Sequence, residues 1–223
     1  MTILVCLDRD GTINKDDNDF WGSTPDWKQR LIFLPGVIEG IKLLNQISGI
    51  EIFIMTNQAG VALVGPEFDE LTEERYKETS EYMIELLKIQ GAYIRGVFGC
   101  PYIDLKYLEK SKKRNKKVNI DYVIDNHPDW KPNIGMIKKA AESLGKTIID
   151  CEIYFIGDRL TDVQTGLNAG GTGILVPESK TRELGDVKKV IELGKTYKNR
   201  IYIAKDFLDA AEYIKKIILS RRQ

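Results

Sequence analysis

The sequence predicts an α/β fold, a mainly parallel sheet with helices on both faces, and three observations carry that expectation. Short apolar runs rich in β-branched residues alternate with longer segments of helical period along the chain. The runs read as buried strands, the kind found where helices cover both sides of a sheet. Three of them stop in polar turns: Asp8-Arg9-Asp10-Gly11-Thr12, Thr56-Asn57-Gln58-Ala59-Gly60 and Gly157-Asp158-Arg159-Leu160-Thr161-Asp162. In a parallel sheet such turns share one edge, which is where open α/β sheets keep their ligands.

Each element has its own signal. Ile3 to Leu7 is the first strand, and Asn14 to Arg30 is a polar loop, acidic at Asp16, Asp17 and Asp19. Its tryptophans, Trp21 and Trp27, are expected to pack onto the domain as aromatic anchors, with stacking on a substrate as the other reading. Val37, Ile41, Leu44 and Ile47 recur at helical spacing and Gly49 closes that helix. Glu51 to Met55 is a second strand, Leu63 to Phe68 a loop, Leu71 to Gln90 a long amphipathic helix, and Gly96 to Cys100 a third strand. From 102 to 129 the periodicity fails. Seven of the twelve residues from Lys106 to Lys117 are Lys or Arg, so this stretch reads as an excursion above the sheet with a weakly formed helix and a solvated basic surface. Contact with an anionic substrate is its second reading. A helix from Asn133 to Leu144 stopped by Gly145, a strand from Cys151 to Ile156 and a short helix to Asn168 follow. A strand at Gly173 to Val176, a helical segment at Leu184 to Leu193, a strand at Arg200 to Ala204 and a helix from Phe207 to Leu219 complete the chain.

Composition narrows the function. With 223 residues, the chain is long enough for one domain spanning 1–223 with the 102–129 excursion. Lys+Arg and Asp+Glu both number 33, so no global field argues for nucleic acid or a membrane. Three scattered cysteines, at 6, 100 and 151, do not make a disulfide framework and suit a reducing, cytoplasmic setting. No stretch approaches the length of a spanning helix.

The turns supply the chemistry. Asp8 and Asp10 stand at i and i+2 on an extended strand end and are expected to point the same way. Gly11 lets the backbone turn close to a ligand, and Thr12 adds a hydroxyl. Such a turn also ends ordinary strands, so the pair gains its meaning from its companions. Asp8, Asp10 and Asp158 are hard oxygen donors suited to Mg²⁺, which takes one or two carboxylates and keeps positions for water and phosphate. Thr56 and Lys131 supply donors to a phosphoryl group. Together these residues predict a phosphoryl-transfer site.

The segments DRDGT, TNQAG, WKP and GDRLTD, in this order, resemble the four motifs of haloacid dehalogenase (HAD)-type phosphohydrolases. DRDGTIN and TNQAGV are similar to the branch holding heptose bisphosphate and histidinol-phosphate phosphatases. The resemblance implies a three-layer Rossmann-like fold with a minimal cap and a Mg²⁺-dependent phosphomonoesterase acting on a small phosphorylated metabolite such as a sugar phosphate. It implies that Asp8 is the nucleophile and Asp10 the general acid and base. Mg²⁺ would be held by the Asp8 carboxylate, the Asp10 backbone carbonyl and Asp158. Thr56 and Lys131 would bind the phosphoryl oxygens, Asn57 and Arg159 would contact substrate, and Asp162 would orient its loop or a metal-bound water. The chain departs from that branch where many members carry zinc. Cys100-Pro101-Tyr102 keeps one thiol, no cysteine precedes Lys131, and Trp130 stands where the heptose enzymes have an arginine. No structural zinc is therefore expected. The alternatives are a polynucleotide 3′-phosphatase, with the basic run tracking a backbone, and a non-catalytic binding protein of the same fold. A monomer or small homo-oligomer is expected.

Overall fold

The computed structural model describes residues 2–16 and 20–221; Asp17 and Asp19 of the acidic loop lie outside the described residues. In chain order the elements are β1 (Thr2–Leu7), α1 (Val37–Asn45), β2 (Ile50–Asn57), β3 (Leu63–Val64), α2 (Glu73–Ile89), β4 (Gly96–Cys100), α3 (Leu105–Lys113) and β5 (Lys117–Val118). There follow α4 (Gly135–Ser143), β6 (Cys151–Gly157), α5 (Leu160–Asn168), β7 (Thr172–Leu175), α6 (Ser179–Glu183), α7 (Asp186–Thr196), β8 (Ile201–Ile203) and α8 (Phe207–Ser220).

Six strands form a parallel sheet in the order β4-β2-β1-β6-β7-β8. Strand β1 is central because its side chains are apolar on both faces, and the period of two sends them to two different cores. Ile3, Val5 and Leu7 pack with α1, α2 and α8 through residues such as Ile41, Met83 and Phe207. Leu4 and Cys6 meet α4 through Met136, Ile137 and Ala140, and α5 and α7 continue that layer through Val163, Leu167 and Val190. The three-layer α/β arrangement expected from the alternating pattern is the one observed. Fully burying each such side chain contributes roughly 1.5–3 kcal/mol, so one polar substitution in β1 removes support from both layers.

The chain leaves β1 for β2 on one side and reaches β6 on the other, which makes the β1/β6 boundary a topological switch point. Leu7 pairs with Ile54 and with Ile156. The residues after these positions emerge side by side, so Asp8, Thr56 and Asp158 reach one edge from three distant parts of the chain.

The excursion differs most from the sequence-based expectation. Its helix is properly formed: the Asp104 side chain caps α3 by accepting from Tyr107 N at 2.6 Å, and Lys110, Lys112 and Lys113 suit the negative C-terminal end of the helix dipole. The expected loop at 63–68 contains β3, which pairs antiparallel with β5, Leu63 opposite Val118. Small satellite cores hold this cover down, one around Ala59, Ala62 and Ile103 with Tyr107 and Trp130, another around Leu63, Phe68 and Leu71. Pairings this short leave almost no periodic trace in sequence. Downstream, the helical segment expected at Leu184 to Leu193 is α7, and the short α6, which was not expected, precedes it, with Gly185 at a left-handed φ of 67° between the two. Within α2 the buried positions are Thr79, Ser80, Met83 and Leu87, whereas Ile89, one of the residues expected to supply its apolar content, is 71% exposed. Among the described residues no helix is long and apolar enough to cross a membrane.

Candidate active site

A cavity of about 520 Å³ opens over the C-terminal edge of the sheet. Its floor is built from the strand ends: Asp8 and Asp10 after β1, Thr56 and Asn57 at the end of β2, Asp158 and Arg159 after β6, and Asp162 in α5. Lys131, from the turn before α4, enters from the side. Its ammonium, 4% exposed, donates to Asp8 Oδ1 at 2.6 Å and to Asp162 Oδ1 at 2.6 Å. Burial works against that charge, but Asp162 and Asp8 outweigh it and hold the lysine above its ordinary range.

Three buried carboxylates, Asp8, Asp158 and Asp162, each present an oxygen within 4.8 Å of the others. Burial pushes Asp8 up to about 7 despite the opposing pull of Lys131, and Asp162 adds to the rise. Asp158 moves in the same direction, first from burial and then from Asp8 and Asp162. Asp158 Oδ1 is buried without a hydrogen-bond partner. Asp162, by contrast, spends one oxygen on Lys131 and the other on the backbone N–H of Arg159 at 2.9 Å. A hard cation between Asp8 and Asp158 would satisfy the orphaned oxygen and relieve the repulsion, so this donor set fits Mg²⁺. Gly11 is what allows the approach: at φ 89°, a Cβ there would lie 2.8 Å from Asp158 Oδ2.

Asp10 lies in different surroundings. Both aspartates face the cavity, but the strand ends at Leu7 and the chain turns through Arg9 and Gly11, so the period of two stops applying. Asp10 Oδ2 accepts from Arg9 Nε at 3.0 Å and Gln58 Nε2 at 3.1 Å, and Oδ1 accepts from Asn14 Nδ2 at 3.1 Å. Burial opposes its charge, yet the Arg9 guanidinium and these hydrogen bonds hold the carboxyl below the usual range. The Asp10 carboxylate is thus outside the three-carboxylate group and engaged by other partners.

The remaining expected residues are distributed unevenly. Thr56 is buried and accepts from Gln58 Nε2 at 2.8 Å. Asn57 faces the cavity but is tied to the backbone of Lys131, accepting from its N–H at 3.0 Å and donating to its carbonyl at 3.4 Å, so it sets the lysine's entry. Arg159 lines the cavity while its Nε donates to Asp186 Oδ2 at 3.2 Å. The Thr12 hydroxyl is buried and has no hydrogen-bond partner. Trp27 packs against Tyr82 with ring centroids 5.2 Å apart and is 2% exposed, whereas Trp21 lines the cavity and faces the Arg9 guanidinium at 5.2 Å.

The cavity roof is the excursion. Lys106, Tyr107 and Lys110 face inward beside Trp130, with Tyr107 set edge-on to Trp130 at 5.9 Å. Burial lowers Lys110, and its cationic neighbours Arg114, Arg159, Lys180 and Lys106 lower it further. Lys106 and Lys110 of the basic run thus line the cavity mouth while staying exposed to water. Cys100 Sγ, the one thiol kept after β4, lies 3.6 Å from His127 Nδ1. His127 stacks on Tyr102 at 4.5 Å and its Nδ1 accepts from Asp129 N at 3.1 Å. Among the described residues no third metal-binding side chain joins Cys100 and His127.

A family model described as HAD-hydrolase-like matches residues 130–210. A phosphatase of Rhodopseudomonas palustris named D-glycero-beta-D-manno-heptose-1,7-bisphosphate 7-phosphatase is 32% identical over 75% of this chain and 79% of its own. The chain belongs to the HAD-type phosphatases. Within this family it is also similar to the Neisseria meningitidis phosphatase of the same name, 28% identical over 95% of this chain and 94% of that one. The fold matches a D,D-heptose 1,7-bisphosphate phosphatase from B. bronchiseptica complexed with magnesium and phosphate, with a TM-score of 0.68 at 22% identity over 96% of this chain and 99% of that chain. As a HAD-type phosphatase, the chain is a hydrolase of phosphate esters. Arg9, Gln58, Asn14 and Asp186, which carry no expected role in the sequence, all grip site residues. Only Arg9 left a trace, as a charge set between two strand-end aspartates.

Proposed function

We propose that this HAD-type phosphatase is a Mg²⁺-dependent phosphomonoesterase acting through an aspartyl-phosphate at Asp8, within one catalytic domain that carries the excursion as its cover. The observation that carries the reading is the convergence of Asp8, Lys131, Asp158 and Asp162 at the switch point. An Asp8 oxygen attacks phosphorus, the bond from phosphorus to the ester oxygen breaks, and the electron pair leaves with the alcohol. Asp10 delivers a proton to that oxygen, then removes one from the water that hydrolyses the acyl phosphate. Arg9 favours the carboxylate form needed in the second half; an arriving phosphate dianion opposes that effect and favours the acid form needed in the first. Lys131 and Thr56 bind the transferring oxygens, Asn57 fixes the lysine, and Arg159 meets the rest of the substrate. Asp8, the Asp10 backbone carbonyl and Asp158 would hold Mg²⁺. When bound, the cation supplies positive charge that offsets repulsion between the anionic nucleophile and the phosphate.

The substrate is a small phosphorylated metabolite of the sugar phosphate class. The relatives' names point to a heptose bisphosphate, and Lys106, Lys110 and Lys180 around the cavity suit an ester carrying further negative charge. The test is phosphate release from a panel holding sugar mono- and bisphosphates, histidinol phosphate and end-phosphorylated oligonucleotides, with and without Mg²⁺. Turnover of a sugar phosphate that needs Mg²⁺ and vanishes in Asp8→Asn is the expected result; undiminished turnover in that variant defeats the reading.

A further inference from the structure

Helix α2 places two hydroxyls where an amphipathic helix would put apolar groups. Thr79 and Ser80 are both 0% exposed, on the stripe that continues into the core as Met83 and Leu87. Each hydroxyl has one hydrogen and two lone pairs to place. The hydrogens go to the carbonyl of Tyr76, from Thr79 at 2.9 Å and from Ser80 at 2.7 Å. The lone pairs then accept from one nitrogen of Arg9, Nη1, at 3.1 Å in both cases. On its other side the same guanidinium donates from Nε to Asp10 Oδ2 at 3.0 Å, and Nη2 pairs with the same oxygen at 2.9 Å. A continuous chain therefore runs from the backbone of α2 through two hydroxyls and a buried arginine to the carboxyl proposed to move the proton.

Stability does not account for this chain. A buried ion pair gains little over well-packed apolar residues of the same volume, and a buried hydroxyl costs free energy unless it is bonded. What the chain supplies is direction. The guanidinium is a rigid planar fork, and anchoring one tine to a helix fixes where the other two point.

We infer that Thr79 and Ser80 are positioning residues: through Arg9 they hold the Asp10 carboxyl at the leaving-group oxygen. The inference rests on the phosphomonoesterase reading. Without the anchor, Arg9 and Asp10 move together, and the proton is delivered from the wrong place when the ester bond breaks. Esters whose alcohols need that proton should suffer; esters with a stable leaving anion should suffer less.

The test compares kcat/KM for propyl phosphate and p-nitrophenyl phosphate with Mg²⁺ in the unaltered chain and in Thr79→Val/Ser80→Ala, with circular dichroism and thermal melting confirming the fold. General acid catalysis contributes about 10²–10⁴-fold, so its partial loss should lower kcat/KM for propyl phosphate by about tenfold or more and lower that for p-nitrophenyl phosphate by about threefold or less. Ser80→Thr, which keeps a hydroxyl, should retain the original ratio of the two substrates. Thr79→Val alone replaces the double variant if the latter does not fold. An equal loss on both substrates, or none, overturns the inference while leaving the phosphatase reading intact; no Mg²⁺-dependent hydrolysis by the unaltered chain overturns the reading itself.

Discussion

The floor and the roof of the cavity are built on opposite principles. The floor is assembled from the ends of buried parallel strands whose directions are fixed by two cores, and its charges are nearly dehydrated: Lys131, Asp158 and Asp162 are all under 5% exposed. The roof is a short capped helix and a two-residue strand pair over satellite cores, and its lysines stand among other cations. Chemistry that depends on sub-ångström placement belongs on the floor. Selection among substrates, which tolerates change, belongs on the roof.

The largest expected contrast comes from removing the nucleophile. Asp8→Asn should lower kcat by about 10³-fold or more, as loss of a nucleophile does elsewhere, while thermal melting still shows a folded chain. Lys131→Met is next: it leaves Asp8 and Asp162 without their shared cation, and breaking a buried pair on one side costs about 3–5 kcal/mol, so both kcat and Tm should fall. A Lys131→Met protein with unchanged melting would mean that the lysine is not the electrostatic centre of the floor.

The coupling between protons and metal is a third test. Asp8 is lifted from 3.8 to about 7, and Asp158 is lifted too. A carboxyl whose value is higher in the native state keeps its proton when the unfolded chain has lost it. Its stabilising contribution is therefore present at low pH and is lost as pH rises through about 7. A cation binds only the carboxylates, so Mg²⁺ should raise Tm more at pH 8 than at pH 5; an equal shift at both would show that these carboxylates are not its ligands. The smallest effect belongs to the roof: Lys110→Ala should raise KM for an anionic substrate about three- to tenfold with kcat within twofold, because its attraction acts on bound and reacting substrate alike. A kcat effect without a KM effect would move Lys110 onto the floor.

The same division explains what could be read from the sequence. Strand β4 was expected at the limits it has, and β1, β2, β6 and β7 within one or two residues, because apolar runs with short helical spacers force parallel burial. The gathering of Asp8, Thr56, Lys131 and Asp158 follows from that topology. Asp8 and Asp10 both face the cavity as expected, but the turn through Arg9 and Gly11, rather than strand alternation, puts Asp10 there, and its hydrogen-bond partners were not legible. Asp162, expected to orient its loop or a metal-bound water, does hold that loop through the Arg159 N–H, but its second bond, to Lys131, has no trace in spacing. The roof was read as a weakly helical solvated loop because its stability comes from the Asp104 cap and from Tyr107 against Trp130, contacts without a period. Thr79 and Ser80 carry no sequence signal for a related reason: a hydroxyl on an apolar stripe means something only once its partner is known.

If Asp8 is the nucleophile, the phosphoryl group rests on its carboxylate before water takes it. Rapid acid quenching during turnover of a sugar phosphate, followed by peptide mapping by mass spectrometry, tests it directly. A phosphoryl group on the peptide containing Asp8, absent from Asp8→Asn, is the expected result. Steady phosphate release with that peptide never labelled would contradict it.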